Sequence, residues 1–458
     1  MRRIAALLLV LAVPCAFPLS AAETLVANVA EFDAAVKAAK PGDTIVLRNG
    51  EWRDAELNFR AAGELKFTGR ITLRAETPGQ VILTGKSRLS IGGKWLTVEG
   101  LHWKNTAAAD EVIAFRIDSK TLAEECRLRD CAIVDDAATD SDGASASRKW
   151  VSIYGRRNVV EQCRFDGKRS AGALLVVWIP DDAPQYDAAQ PRSFQWNHVV
   201  ENNFFGPRAK LGKNGGETIR VGDSKTSLKC CEVRVFDNYF YRCDGEAEII
   251  SNKSCDNAYI GNVFVGCSGA LTLRHGHRCS VGMTIFFADG RPGCGGVRVV
   301  GENHKVVGSL FDRLTGDDAR AALCIMNGIP NTPADGYSQV RGLLVENNRF
   351  VGCKQNILVG FADKDRKEQS LAPDGLTFKG NSVNATQAPV FEVVTQPTAV
   401  TSSTNTYSGD LGLSTRKGWT EPAAGMNIYE QRARQILTKS GPAWLRPTED
   451  FLPKDTPK

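Results

Sequence analysis

The stretch from Asn214 to Arg278 concentrates the side chains of this chain that can do chemistry. It holds Glu246-Ala-Glu248, then Lys253, then Arg274-His275-Gly276-His277-Arg278, with Asn214 and Arg220 upstream and Tyr259 between. On a strand, residues two apart share a face, so Glu246 and Glu248 point together while Ala247 and Ile249 turn the other way. Two carboxylates held side by side repel unless a cation lies between them, and an all-oxygen set suits Ca²⁺. Asn214 can add a carbonyl oxygen. From spacing alone, the pair also reads as two solvated glutamates on an outer face. Lys253 and Arg274 follow closely: a neutral lysine can take a proton, and an arginine can stabilise charge that develops nearby. A surface charge network is the plainer alternative.

The elements that must position these groups come from a repeat. An apolar residue, a short spacer, a small polar residue and a closing aromatic or aliphatic residue recur, as in Val160–Phe165, Val200–Phe205, Phe236–Phe240, Ile260–Phe264 and Val345–Phe350. Two residues before each closing position stand Cys131, Cys163, Asn203, Asn238, Asn262, Thr284, Ser309, Asn348 and Asn381. Phe240 and Phe264 are 24 apart, the size of one strand–turn–strand–turn–strand coil. Such coils cannot bury their apolar faces singly, but stacked they share one core. The pattern predicts an all-β fold, a single-stranded right-handed parallel β-helix over residues 23–425, with the asparagines forming a hydrogen-bonded ladder. Asn28 and Glu31 have capping-box spacing, and Phe32, Val36 and Ala39 form an apolar stripe, which predicts an N-terminal capping helix. Ile428, Ala433, Ile436 and Leu437 suggest a short helix within a C-terminal segment, 426–458, whose remainder reads as irregular tail.

The same 24-residue step makes specific register predictions. Arg274 should stack on Ile250, and His277 on Lys253. Cys243 should meet Cys267, and Cys255 should meet Cys279, either as disulfides or as a ladder of buried thiols. His275, next to Arg274 on a strand, should face the opposite way.

The chain has 458 residues, 24% of them charged, and a formal net charge of +5. Arg2, Arg3 and the apolar run Ile4–Val13, with Ser20 and Ala22 before Glu23, read as a signal peptide spanning residues 1–22. Its removal lowers the charge by two. The mature chain is expected to be secreted or periplasmic, free of the membrane, and a monomer. So small a charge does not suggest nucleic-acid binding.

These residues also carry a resemblance. The segments 34–50 and 71–79, and above all Glu246-Ala-Glu-Ile-Ile-Ser-Asn-Lys-Ser254 and Arg274-His-Gly276, resemble polysaccharide lyase family 6, which includes alginate lyases and chondroitinase B. The resemblance implies Ca²⁺ on Asn214, Glu246 and Glu248, Lys253 as base and Arg274 as acid. It implies β-elimination at a uronic acid of an acidic polysaccharide, alginate before a dermatan-type glycosaminoglycan. Arginine holds its proton tightly. Arg274 is therefore read as stabilising developing negative charge, with water or Tyr259 as the proton source. Arg220, Tyr259, His277 and Arg278 are the expected substrate contacts, and His275 is expected to orient Arg274. A non-catalytic glycan-binding β-helix and a C5 epimerase are the competing readings.

Overall fold

The computed structural model describes residues 21–64, 69–107, 110–136, 147–191, 197–412, 419–420 and 427–454. The signal-peptide reading falls almost wholly outside them. Among the described residues, no helix is long and apolar enough to cross a membrane.

Three long sheets run side by side, of 14, 13 and 14 strands, and every pairing within them is parallel. Successive strands of one coil go to different sheets, and each strand pairs with its counterpart one coil on. This is the right-handed parallel β-helix expected from the repeat. The closing residues of the repeat point inward and stack as a column, Phe165–Phe205–Phe240–Phe264–Phe286–Phe311–Phe350, with ring centroids 4.4 to 5.4 Å apart. That spacing matches the distance between paired strands, so one stacked ring per coil fills the core without a gap.

The polar ladder runs beside this column. Asn203 Nδ2 donates to Asn238 Oδ1 and Asn238 Nδ2 to Asn262 Oδ1, both at 3.0 Å. Further along, Asn348 Nδ2 donates to Asn381 Oδ1 at 3.0 Å and Asn381 Nδ2 to Asn405 Oδ1 at 2.9 Å. At Thr284 and Ser309 a hydroxyl replaces the amide, and Thr284 N donates to Ser309 Oγ. The residue before each rung takes a left-handed backbone, as at Asn202, Asp237 and Asn347. At Gly261 a Cβ would sit 2.0 Å from Asp237 Oδ1, so a larger residue there would have to displace the Asp237 side chain. Buried amides are costly unless every donor and acceptor is used, and the ladder uses them.

A second ladder includes histidine. Asn158 N donates to His198 Nδ1, and Cys279 N donates to His304 Nδ1 while His304 Nε2 donates to the Val300 carbonyl. Both rings are fully buried, and burial pushes both pKa values down to about 4.

The N-terminal helix α1 (Val29–Ala38) forms as expected. Asn28 accepts from Glu31 N at 2.9 Å and Glu31 accepts from Ala27 N at 2.7 Å, while Phe32 and Val36 are buried. The C-terminal helix α2 (Asn427–Lys439) also forms, but its tail is docked rather than loose. Ala433, Ile436 and Leu437 cover an outward apolar stripe of Tyr239, Tyr241, Val263, Val265, Ile285 and Phe287. Beyond the helix, Tyr239 Oη donates to the Phe451 carbonyl and Trp444 Nε1 donates to the Asp130 carbonyl. The outward aromatics of that sheet, which alternation alone would leave wet, explain why the tail docks.

All twelve cysteines from Cys126 to Cys353 are buried, and none is in a disulfide. Cys243 N donates to Cys267 Sγ at 3.3 Å, so that pair does stack on neighbouring coils. Cys255 does not stack on Cys279. The coil there is shorter, Ala258 pairs with Ser280, and Cys255 lies across from Cys230.

His198 and His304 are neutral in the fold and would titrate near 6.5 once unfolded, so between these values the unfolded chain binds more protons. Their stabilisation should be complete above about pH 6.5 and lost as pH falls through 4, on the order of 3 kcal/mol for each ring. Calorimetric melting across pH 7 to 4 should show this fall. His198→Asn, which restores the ladder residue found at Asn158 and Asn257, should reduce the fall by about half, leaving the His304 share.

Candidate active site

The site lies on the outward face of the 13-stranded sheet, where the Glu248–Lys253, Gly269–His275 and Cys294–Val299 strands stack. Regular alternation fails here twice. Ile250 pairs with Leu271, Asn252 with Leu273, and Lys253 with His275, with register shifts after Glu248 and after Asn252. Arg274 is the extra residue of the second shift. The expected stacking of Arg274 on Ile250 and of His277 on Lys253 is therefore wrong. The step of the turn sheets does not hold across a bulged strand pair. The same bulge overturns the opposite-facing reading of His275: Lys253, Arg274 and His275 all line one groove.

That groove, about 590 Å³, is also lined by Asn214, Glu246, Glu248 and Arg298. Glu246 is gripped by backbone: its Oε2 accepts from Gly215 N at 2.8 Å and Gly216 N at 3.0 Å. Gly216 must be glycine for this approach, since a Cβ there would lie 2.3 Å from the Gly245 carbonyl oxygen. Burial, then the neighbouring carboxylate of Glu217, pushes the Glu246 pKa up to about 7. Glu217 is itself buried, and its Oε2 has no hydrogen-bond partner. Glu248 pairs with Arg298, lies 3.8 Å from Arg274 Nε, and accepts from Ser251 Oγ at 2.5 Å.

Lys253 Nζ makes no hydrogen bond or ion pair among the described residues. Arg274 lies over the ring of Tyr337, 4.1 Å from its centroid, with Nη1 buried and unpartnered. Burial lowers its pKa. His275 Nδ1 is 3.2 Å from the Gly336 carbonyl oxygen. A carbonyl only accepts, so Nδ1 carries the proton and Nε2 is an acceptor. Burial, then Arg274 and Lys253, depress the His275 pKa to about 3.

The other expected contacts are elsewhere. Tyr259 is wholly buried in a different sheet, its Oη donating to Asn252 Oδ1 at 2.7 Å. It points inward because it shares a column with Val235 and Val281. It therefore contacts no substrate and delivers no proton in the groove. His277 is buried and accepts from Glu302 N at 3.0 Å. Arg278 is paired with Asp256 and donates to the Gln190 carbonyl at 2.7 Å, tying a loop down. Arg220 stacks on Trp178 at 5.0 Å, outside the lining of the groove. Trp178 borders a second recess on the same sheet, about 860 Å³, in which the arginines are paired with glutamates. There Arg88 pairs with Glu56, Arg116 with Glu111, and Tyr154 Oη donates to Glu111.

Sequence reasoning missed Arg298, Tyr337 and Glu217. Arg298 gave a signal, being a charge between Val297 and Val299 on a strand otherwise buried. Tyr337 gave none, because it arrives on a loop inserted between coils.

Charge in the groove is mixed. Lys210, Lys213, Lys253, Arg274, Arg298 and Arg320 face Asp244, Glu246, Glu248 and Asp335. Cations outnumber carboxylates, and three of the four carboxylates, Asp244, Glu246 and Glu248, come from one short stretch of chain. One face of the solenoid thus gathers a carboxylate cluster, an amine without an ion pair and a buried guanidinium. The chondroitinase B family model matches residues 26–386, and the chain belongs to that family of polysaccharide lyases, family 6. Its fold matches the alginate lyase AlyGC of family 6 with 34% identity and a TM-score of 0.81, over 94% of this chain and 58% of that one. The chain thus spans a little over half the length of AlyGC. A mannuronic-acid-specific family 6 lyase from human gut microbiota matches with 26% identity and a TM-score of 0.79, over 94% of this chain and 97% of that one. The Pedsa3628 lyase from Pseudopedobacter saltans shares the fold at 24% identity and a TM-score of 0.72, over 92% and 99% of the two chains. No curated protein matches by sequence.

With its pKa near 3, His275 should stay neutral from pH 5 to 9. Its ring resonances in NMR spectra should not move across that range, whereas a solvated histidine would titrate near 6.5.

Proposed function

We propose that this chain is a secreted, Ca²⁺-assisted lyase that cleaves alginate by β-elimination. The observation that carries the reading is one groove in which the free amine of Lys253 lies beside Arg274 and His275, next to Glu246 and Glu248.

The residues fit the metal. Glu246 uses only one carboxylate oxygen on Gly215 and Gly216, which leaves Oε1 available. The buried, unpartnered oxygen of Glu217 adds to an anionic cluster that a cation would relieve. Glu246, Glu248 and Asn214 would hold Ca²⁺, which prefers such hard oxygen donors. When bound, the ion supplies charge that stabilises the aci-anion of a uronate carboxylate.

The chain's own residues do the rest. Lys253 Nζ, acting as the base, takes the C5 proton, which is weakly acidic because it is α to the carboxylate. The electron pair moves into the carboxylate and then forms the C4–C5 double bond as the C4–oxygen bond breaks. Arg298 and Arg274 hold positive charge beside the developing anion. The departing oxygen needs a proton. With Tyr259 in the core and His275 Nε2 an acceptor, water is the donor left, while Arg274, which holds its proton tightly, stabilises the departing oxygen. The excess of cations along the groove suits a polyuronate chain.

Alginate is favoured by the family 6 alginate lyases among the similar structures. The family model's description supports a second reading, a dermatan-type glycosaminoglycan. Ultraviolet absorbance of the unsaturated uronate, followed on alginate and on dermatan sulfate in parallel, separates the two. Bound alginate with no absorbance, or altered uronate composition without cleavage, would sink the lyase reading. Lys253→Ala should lower kcat by about 10³-fold with the melting temperature unchanged. Calorimetric titration should find one Ca²⁺ per chain, and Glu246→Gln should weaken that binding at least about tenfold.

A further inference from the structure

Directly behind Lys253 lies a buried polar network that the proposed chemistry does not use. Asn252 precedes the lysine on its strand and points the other way, into the core, wholly buried. Its Nδ2 donates to the Ser254 carbonyl at 2.9 Å and, across to the next coil, to the His275 carbonyl at 2.8 Å. Its Oδ1 accepts from Tyr259 Oη and from Asn257 Nδ2, both at 2.7 Å. Every polar position of this amide is filled.

The placement matters because Asn252 sits at the register shift. From Ile250 to Asn252 the two strands are in step, and beyond Asn252 Lys253 faces His275 with Arg274 looped between. A bulge disturbs the backbone ladder locally. The Asn252 amide bridges that gap, holding the carbonyl of Ser254 on one side of the lysine and that of His275 on the facing strand. Unlike the ladder asparagines, it binds no amide of its own kind in the adjacent coil; its one partner of that kind, Asn257, is in its own coil.

We propose that Asn252, locked by Tyr259 and Asn257, is the positioning residue that sets Lys253 against the Arg274–His275 pair. The inference rests on the lyase reading of the groove. Tyr259, expected from sequence to touch substrate, acts from the core through Asn252.

Tyr259→Phe removes one hydroxyl without changing volume, and Asn252→Asp replaces the donor facing two carbonyls by an acceptor. For comparison, Asn348→Asp alters an equally buried ladder amide remote from the groove. With alginate as substrate, Tyr259→Phe should lower kcat about tenfold at nearly constant KM, and Asn252→Asp should lower it further, since small misplacements of a catalytic group are costly. Asn348→Asp should lower the melting temperature but leave kcat of the folded protein unchanged. Wild-type kcat in folded Tyr259→Phe, or an equal loss in Asn348→Asp, overturns the proposal. A second readout does not depend on turnover: the rate at which acetic anhydride modifies Lys253, measured by peptide mass spectrometry. It should change in Tyr259→Phe and not in Asn348→Asp. If the wild type cleaves no uronate polymer, the lyase reading fails, and this labelling rate alone decides whether the network positions the amine.

Discussion

A single coil of this chain cannot bury its own apolar face, so everything depends on coils stacking in register. The rings of Phe205, Phe240, Phe264 and Phe286 have neighbours to pack on only when each coil lies over the last. The buried amides of Asn203, Asn238 and Asn262 are satisfied on the same condition. An apolar column and a polar ladder thus impose one spacing from two directions. The apolar column supplies the driving force, and the ladder penalises slippage, since a displaced coil would leave amides buried without partners.

Against that regular frame, the groove is built from departures. Two register shifts beside Glu248 and Asn252 let the side chains of Lys253, Arg274 and His275 reach one face. Strict alternation would have sent His275 into the core. The inserted loop that brings Gly336 and Tyr337 then holds the histidine tautomer and the guanidinium in place. Rigid coils above and below make such irregularity affordable.

Electrostatics divides the groove. Around Glu246 the fold gathers Glu217 and Glu248 and meets them with backbone N–H groups and the Arg298 guanidinium. Around Lys253 it leaves the amine without a partner. Under the proposed function, the first arrangement suits capture of a cation and a carboxylate together, and the second suits a base. The nearby recess bordered by Trp178 makes the contrast, because its arginines and glutamates neutralise each other.

Much of this was legible in the sequence. The β-helix, the capping of α1 and the ladder from Asn203 to Asn381 follow from local spacing, because they repeat a short pattern whose physics is the same in every coil. The cluster of Asn214, Glu246, Glu248, Lys253 and Arg274 was legible too, since neighbouring coils bring nearby sequence together. Tertiary structure alone decided the rest. A uniform step cannot foresee a bulge, so the facing of Lys253 and His275 was misjudged. Tyr259, Arg278 and His277 look chemically able in sequence, yet the phase of their own strands and turns buries them or ties them to Asn252, Asp256 and Glu302. Arg298 and Tyr337 reach the groove from later coils, and the docking of the tail through Ile436 and Trp444 depends on which outward faces stay apolar. Those outcomes are set by contacts between coils and inserted loops, and residue spacing alone carries no record of them.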